Sequence, residues 1–260
     1  MPTGTVTASD TPQLVLTGER TLPGIPDENY WFRRHEAAYA ALAPFITGAV
    51  VLEAGCGEGY GAALFAETAK SVIALDYDAS TTAHVRRAYG SVDVARGNLH
   101  QLPIHDSGIE VLACLQVIEH LWDQPAFIAE CARALRPAGT LLITTPNRLT
   151  FSPGTQPGDR PLNPFHTREL SAGELTELLS PHFVVSRLNG LRHGRRLSRF
   201  ERRHGSLVAA QVTGPAATWP PVVRRYVRRV SVADFELSDD VIDAALDLVV
   251  VARKRTDADA

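Results

Sequence analysis

At 260 residues the chain can bury one sizeable core but is short for two independent domains. Its 26 basic and 29 acidic side chains leave a formal net charge of -3, which excludes a global field drawing it to nucleic acid or to an anionic membrane. Cys56, Cys114 and Cys131 form no CxxC pair and are expected to be reduced and packed. The longest apolar runs, such as LDLVVVA, fall far short of the ~20 residues of a membrane span, and MPTGTVTASD lacks a basic-then-apolar leader, so a cytoplasmic protein is expected.

Residues 1–13 are small, polar and proline-containing, and are expected to be disordered. A helix follows over 27–43, with Tyr30, Trp31, Phe32, Tyr39 and Leu42 available for one apolar face. It either covers a sheet edge or acts as a lid over a ligand. The stretch VVLEAGCGEGYGA, residues 50–62, has the form strand, tight loop, helix: a β-branched run, Glu53, then Gly55, Gly57 and Gly59 at alternate positions before the helical Tyr60–Thr68. Alternate glycines let a ligand lie against bare main chain, and the amides opening the next helix face an anion. A second strand, SVIALDYD, ends at Asp76 and is followed by Tyr77. A carboxylate about twenty residues past such a loop meets ribose hydroxyls, so the ligand is a nucleoside. Gly57, Gly59 and Ala62 meet the dinucleotide spacing by themselves. Glu53 argues the other way, because a carboxylate at that strand tip repels a pyrophosphate and welcomes a cationic amino group. The charge pattern favours S-adenosylmethionine.

With Glu53, Gly55, Gly57 and Gly59 matching E/D-x-G-x-G-x-G, the sequence resembles the class I S-adenosylmethionine-dependent methyltransferases over roughly residues 48–190. The resemblance implies an α/β, Rossmann-like fold: a seven-stranded, mostly parallel sheet with an antiparallel last strand and helical acceptor-side insertions. The expected organisation is one domain over 14–253, with a lid helix 27–43, a core 48–190, an insertion 191–243, a last strand 246–253 and a tail 254–260. It also implies that Asn98 bonds the adenine amino group with Leu99 against the ring, that Arg33 or its neighbour Arg34 lies near the cofactor carboxylate, and that Gln116 to His120 sit at the fourth strand's end beside the transferred methyl.

Beyond Asp76, DASTTAHVRRAY is expected as a helix, VDVARGNLHQLP as strand and loop, IEVLACLQ as a buried strand, AFIAECARAL as a helix stopped by RPAG, and LLITTPN as the next strand. Residues 148–169 hold four prolines and form a long loop of the kind that is usually functional. SAGELTELLS is helical, HFVVSRLNGL a strand, and ALDLVVVARK the last strand. Methyl transfer needs alignment, exclusion of water and management of one proton. A sugar hydroxyl ionises only near pH ~14 to 16 and needs a base or a metal. His120 is the first candidate base and His166, in NPFHTRE, the second. Some quinone-biosynthesis O-methyltransferases carry E-x-x-E-H here and bind a divalent metal. This chain has Gln116-Val-Ile-Glu119-His120, which makes Glu119 and His120 candidate ligands for Mg2+ at a weakened site. The run Arg192, Arg195, Arg196, Arg199, Arg202, Arg203 is either an acceptor wall or a solvated helix face. It lacks the interleaved aromatics of a nucleic-acid groove.

LTGERT, ENYWFRRH, QVIEHLWDQ, TFSPG and NPFHTREL are similar to the mycobacterial methyltransferases of methylated polysaccharides, especially methylglucose lipopolysaccharide. That resemblance implies a sugar O-methyltransferase acting on an oligosaccharide acceptor. A methylmannose polysaccharide precursor, or a small quinone or phenol, is the alternative acceptor. The late insertion is a candidate dimer surface.

Overall fold

The β-branched and apolar runs form the strands and the glycine- and proline-marked breaks separate them in the computed structural model, which describes residue 14 and residues 20–259. The disorder expected for residues 1–13 lies outside the described residues. In chain order the elements are α1 (Asn29–Leu42), β1 (Val50–Ala54), α2 (Tyr60–Ala66), β2 (Ser71–Asp76), α3 (Ala79–Ala88), β3 (Asp93–Arg96), β4 (Ile109–Leu115), α4 (Gln124–Ala134), β5 (Leu135–Pro146), α5 (Arg148–Phe151), α6 (Ala172–Leu179), β6 (Phe183–His193), α7 (Arg195–His204), α8 (Leu207–Val212), α9 (Pro221–Val227), β7 (Phe235–Ser238) and β8 (Asp247–Lys254).

The strands form one sheet in the order β3-β2-β1-β4-β5-β8-β6-β7. β3, β2, β1, β4 and β5 run parallel, β8 pairs antiparallel with both β5 and β6, and β7 is antiparallel to β6. The fold is the expected Rossmann-like α/β sheet with an antiparallel last strand. It has eight strands rather than seven, because Phe235–Ser238, expected only as part of an insertion, adds β7 along Gly190–His193. FELS alternates apolar and polar residues, but four residues inside a proline- and arginine-rich segment are too short a run to mark a strand alone, and the neighbouring edge completes it. RPAG departs from expectation in a smaller way. Leu135 already pairs with Ile109 and Thr140 with Val111, so Arg136–Gly139 bulge out of a strand that has begun.

Successive residues of each central strand point to opposite faces, and both faces are covered. Val51, Val72, Val111 and Val249 pack with Tyr30, Leu42, Phe65 and Val223 on one side. Leu52, Leu75, Leu112 and Val250 pack with Phe127 and Leu175 on the other. Cys56, Cys114 and Cys131 are free and buried. No helix among the described residues is long and apolar enough to cross a membrane. The C-terminal ends of β1, β2, β4 and β5 share one edge of the sheet. Asp247, the first residue of β8, lies opposite Pro146 at that edge, and Leu191 of β6 lies opposite Asp247.

Candidate active site

β1 delivers Glu53 to the sheet edge and the chain then turns through Gly55, Gly57 and Gly59, all at positive φ. A Cβ on Gly55 would stand 2.7 Å from a methyl of Val117 and one on Gly59 2.8 Å from a methyl of Val85, so close packing as well as dihedral angle demands glycine at both. At Gly57 a Cβ would meet nothing within 4 Å; that side of the loop is open. Asp76 holds the loop in place, its Oδ2 accepting the Gly57 N–H at 3.1 Å and its Oδ1 the Asp78 N–H at 2.9 Å. Each oxygen keeps a lone pair for a further donor.

Glu53 is 1 % exposed. Its Oε1 accepts the Tyr39 hydroxyl of α1 at 2.5 Å, while its Oε2 is buried without a partner. Burial pushes its carboxyl up to about 8, against the lowering effects of the Tyr39 hydrogen bond and of the Ala62 backbone amide, which faces the carboxylate without making a full hydrogen bond to Oε2. A buried, unpaired carboxylate oxygen beside an open glycine loop suits a cationic ligand group. Beyond Asp76, Tyr77, Arg96, Gly97 and Asn98 line a cavity of about 490 Å³, with the Tyr77 side chain exposed. The Asn98 Oδ1 accepts the His100 N–H at 3.0 Å, which engages one of its two lone pairs. Leu99 does not line that cavity; it is buried in the core layer with Leu75 and Leu102.

Arg33 is not brought to this pocket. It lies on the half-exposed face of α1, paired with Glu36 and Asn29. The inward arginine is Arg34, 2 % exposed, whose Nε and Nη2 grip the two oxygens of Asp247 at 2.6 and 2.5 Å. Gln116, at φ 57° past the end of β4, donates from Nε2 to Asp247 and to the Thr144 hydroxyl, each at 3.3 Å. A non-glycine residue held in the left-handed region at a strand tip is a strained position that its surroundings must impose.

The second half of the site assembles where the turn Ile118–His120 docks on residues 163–169. The Glu119 carbonyl accepts the Thr167 and Arg168 N–H groups, and His120 and His166 meet edge to face with ring centroids 5.0 Å apart. The His120 Nδ1 faces the Phe165 carbonyl at 2.9 Å. A carbonyl only accepts, so Nδ1 carries the proton, and among the described residues no group bonds Nε2. His166 Nδ1 lies 2.6 Å from the buried Glu169 carboxylate. Asn163 donates to its Nε2 at 2.9 Å, with the amide oriented by its Oδ1 accepting the Phe165 N–H. His166 is thus bound at both ring nitrogens, whereas His120 keeps Nε2 without a bond among the described residues. Glu119 is 1 % exposed and accepts the Thr145 hydroxyl at 3.1 Å; burial raises its carboxyl to about 7, partly offset by His166.

Glu119, His120 and His166 each place one donor atom within 4.8 Å of the others. Two imidazoles and one carboxylate are a donor set for a borderline transition metal, whereas magnesium takes oxygen ligands. Gln116, where a further carboxylate would stand, turns its amide nitrogen to Asp247, so the residues present do not fit the Mg2+ for which the sequence makes Glu119 and His120 candidate ligands.

Sequence reasoning missed Tyr39, Asp247, Asn163, Glu169 and Arg96. Two left a signal: Glu169 lies three residues after His166, and Asp247 opens an otherwise apolar run.

A family model for a methyltransferase domain matches residues 52–143. Over 246 residues the chain is 53 % identical to a probable S-adenosylmethionine-dependent methyltransferase of Mycolicibacterium smegmatis, covering 92 % of this chain and 95 % of that protein. A probable S-adenosylmethionine-dependent methyltransferase of Mycobacterium tuberculosis is 52 % identical over 247 residues, 92 % of this chain and 89 % of its own length. A ubiquinone biosynthesis O-methyltransferase of Xanthomonas oryzae is 33 % identical over 109 residues, 40 % of this chain and 45 % of its own. Among solved structures, an S-adenosylmethionine-dependent methyltransferase of Mesorhizobium loti superposes with a TM-score of 0.54 at 18 % identity, covering 85 % of this chain and 97 % of the other, a likeness of fold alone. With half of its residues shared along nearly the whole length of the mycobacterial relatives, the chain belongs to the S-adenosylmethionine-dependent methyltransferases.

Proposed function

We propose that the protein methylates a sugar hydroxyl of a polysaccharide precursor, a glucan of the methylglucose lipopolysaccharide type, with His120 as general base. The observation that carries this reading is the Nε2 of His120, in the turn past β4, which no group among the described residues bonds while Nδ1 is held by the Phe165 carbonyl. A phenol gives up its proton easily, whereas a sugar hydroxyl needs a group that takes the proton as the new bond forms. Exposed aromatic faces support the same reading. Trp122, two residues past His120, is 91 % exposed, and Phe165, whose carbonyl orients His120, is 44 % exposed. Apolar rings left in solvent beside a polar pocket suit the C–H face of a pyranose.

S-adenosylmethionine, when bound, supplies an electrophilic methyl on a sulfonium leaving group. In this reading Asp76 accepts from ribose hydroxyls with the oxygen lone pairs it has spare, Tyr77 and Asn98 border the adenine, and Glu53 holds the amino group with its unpartnered Oε2. His120 takes the hydroxyl proton at Nε2 as the acceptor oxygen bonds to carbon and the carbon–sulfur bond breaks; the imidazolium then returns that proton to solvent. His166, fixed by Asn163 and Glu169, walls the pocket. α1 closes the cofactor side through Tyr39 and Arg34.

The test is incubation with S-adenosylmethionine and short methylated gluco- and manno-oligosaccharides, with and without magnesium. Transfer to a gluco-acceptor that survives chelation is the expected result, and no transfer to any sugar refutes the reading. The partial similarity to ubiquinone biosynthesis O-methyltransferases favours a phenolic acceptor as the second reading. Transfer to a phenol that persists in His120→Ala would establish it.

A further inference from the structure

The arginine-rich helix α7 leaves the sheet at the same edge as the catalytic groups. β6 passes Asp247 at Leu191 and continues two residues to His193, about 7 Å further along the strand, before α7 begins. There His193, Arg195, Ser198, Arg199, Arg202 and Glu236 line a cavity of about 360 Å³. The spacing of Arg195, Arg199 and Arg202 puts all of them on one helix face. Among the described residues, none of these arginines has a carboxylate partner, whereas the arginines flanking them do: Arg192 lies 3.7 Å from Glu236 and Arg196 3.5 Å from Asp234. Glu236, the acid in the lining, is thus already matched by Arg192. His193 is held on both nitrogens, by Glu201 at 2.9 Å and by the Tyr30 hydroxyl at 2.6 Å, so it forms a rigid wall toward α1.

Unmatched guanidinium groups around one cavity, on a chain whose net charge is -3, form a local positive site against the general field. Arg195, Arg199 and Arg202 are exposed, and all three line the one concavity. Guanidinium forks match phosphoryl oxygens two at a time, and a cluster of them suits a multiply charged phosphate or diphosphate better than a single carboxylate. We infer that this cavity is an oxyanion subsite that holds a phosphate or diphosphate group of the acceptor while another part of the same molecule reaches His120. The inference rests on the strand-tip edge being the acceptor pocket, and it narrows the substrate class to phosphorylated or diphospho-linked sugars.

Calorimetry on the full chain with inorganic pyrophosphate, glucose 1-phosphate and glucose tests it, alongside the double variant Arg199→Gln/Arg202→Gln. Pyrophosphate and glucose 1-phosphate should bind saturably and glucose should not, with affinity falling as salt rises. The double variant should lose at least tenfold in pyrophosphate affinity while keeping its melting temperature and its affinity for S-adenosylhomocysteine. No pyrophosphate binding, or equal binding by the variant, overturns the subsite. So does binding only to phosphatidylglycerol vesicles, which would make the helix a membrane-docking surface. Arginine-dependent pyrophosphate binding without methylation of any sugar would leave the subsite standing and remove the sugar reading. Sugar methylation indifferent to the double substitution and to phosphorylation of the acceptor would do the reverse.

Discussion

Glu53→Gln separates a carboxylate that receives a cation from one that is merely buried. In the ligand-free fold Glu53 titrates at about 8, against 4.5 for an ordinary glutamate. Between those values the folded chain binds one proton more than the unfolded chain. The contribution of this group is therefore fully present below about pH 4.5 and is lost as pH rises through 8. At about 1.4 kcal/mol per unit the loss reaches about 5 kcal/mol as an upper bound. Glutamine does not ionise, so the stability of the variant relative to the parent should climb from pH 5 to pH 8. Binding adds the sharper test. At pH 7 a group titrating at about 8 is about 0.9 protonated, and an ammonium group placed on its free oxygen ionises it. Calorimetry with S-adenosylhomocysteine in buffers of different ionisation enthalpy should then show release of about 0.9 proton per molecule bound, and an affinity that rises about tenfold per unit below pH 8. Glu53→Gln should abolish both the proton release and the pH slope. Binding that releases no proton in the parent, or the same release in the variant, refutes the assignment of Glu53 as the cation site.

His120→Ala should lower sugar methylation by about 10²- to 10⁴-fold, as expected for loss of a general base, with S-adenosylhomocysteine affinity within about twofold of the parent; undiminished turnover would remove His120 from the chemistry. Asp76→Ala should weaken cofactor binding severely while His166→Ala spares it, and equal loss in equilibrium titrations would place His166 on the cofactor side. Asp247→Ala strands the buried Arg34 guanidinium and should cost about 3–5 kcal/mol in denaturant melts, with Arg34→Met/Asp247→Leu recovering most of it; a small loss in the single variant would mean that water reaches Arg34.

The strand-loop-helix geometry of the candidate cofactor half was legible because its determinants are local. Glu53, the glycines and Asp76 fall within a short stretch, and the glycine dihedrals, the strand-end carboxylate and the loop-to-helix turn follow rules that need no tertiary contact. Arg33 shows where such rules stop. Adjacent arginines on one helix cannot be told apart by composition, and the choice fell to Asp247, 213 residues away from Arg34, which turned Arg34 inward and left Arg33 to Glu36. Leu99 is ambiguous in the same way: an apolar residue beside Asn98 suits a ring contact and the core alike, and it is buried in one core cluster with Leu75 and Leu102.

The candidate acceptor half is built almost wholly from such distant pairs. His120 takes its orientation from a carbonyl 45 residues on, and Tyr30 meets His193 across 163 residues. Each contact crosses between the strand-tip turn, the long loop, α1 and the α7 segment, so no one segment defines the pocket. Gln116 joins these parts: its amide touches Asp247 and through it Arg34, while its backbone is held at positive φ beside the turn that carries Glu119 and His120. α1 reaches this turn by two routes, from Arg34 through Asp247 to Gln116 and from Trp31 through Phe151 to His166, whose ring meets His120. α1 therefore touches both halves of the candidate site, Glu53 through Tyr39 and the His120 turn through these contacts. Because the Arg34–Asp247 pair cannot separate without stranding a buried charge, a substitution that unseats Arg34 should disturb both together.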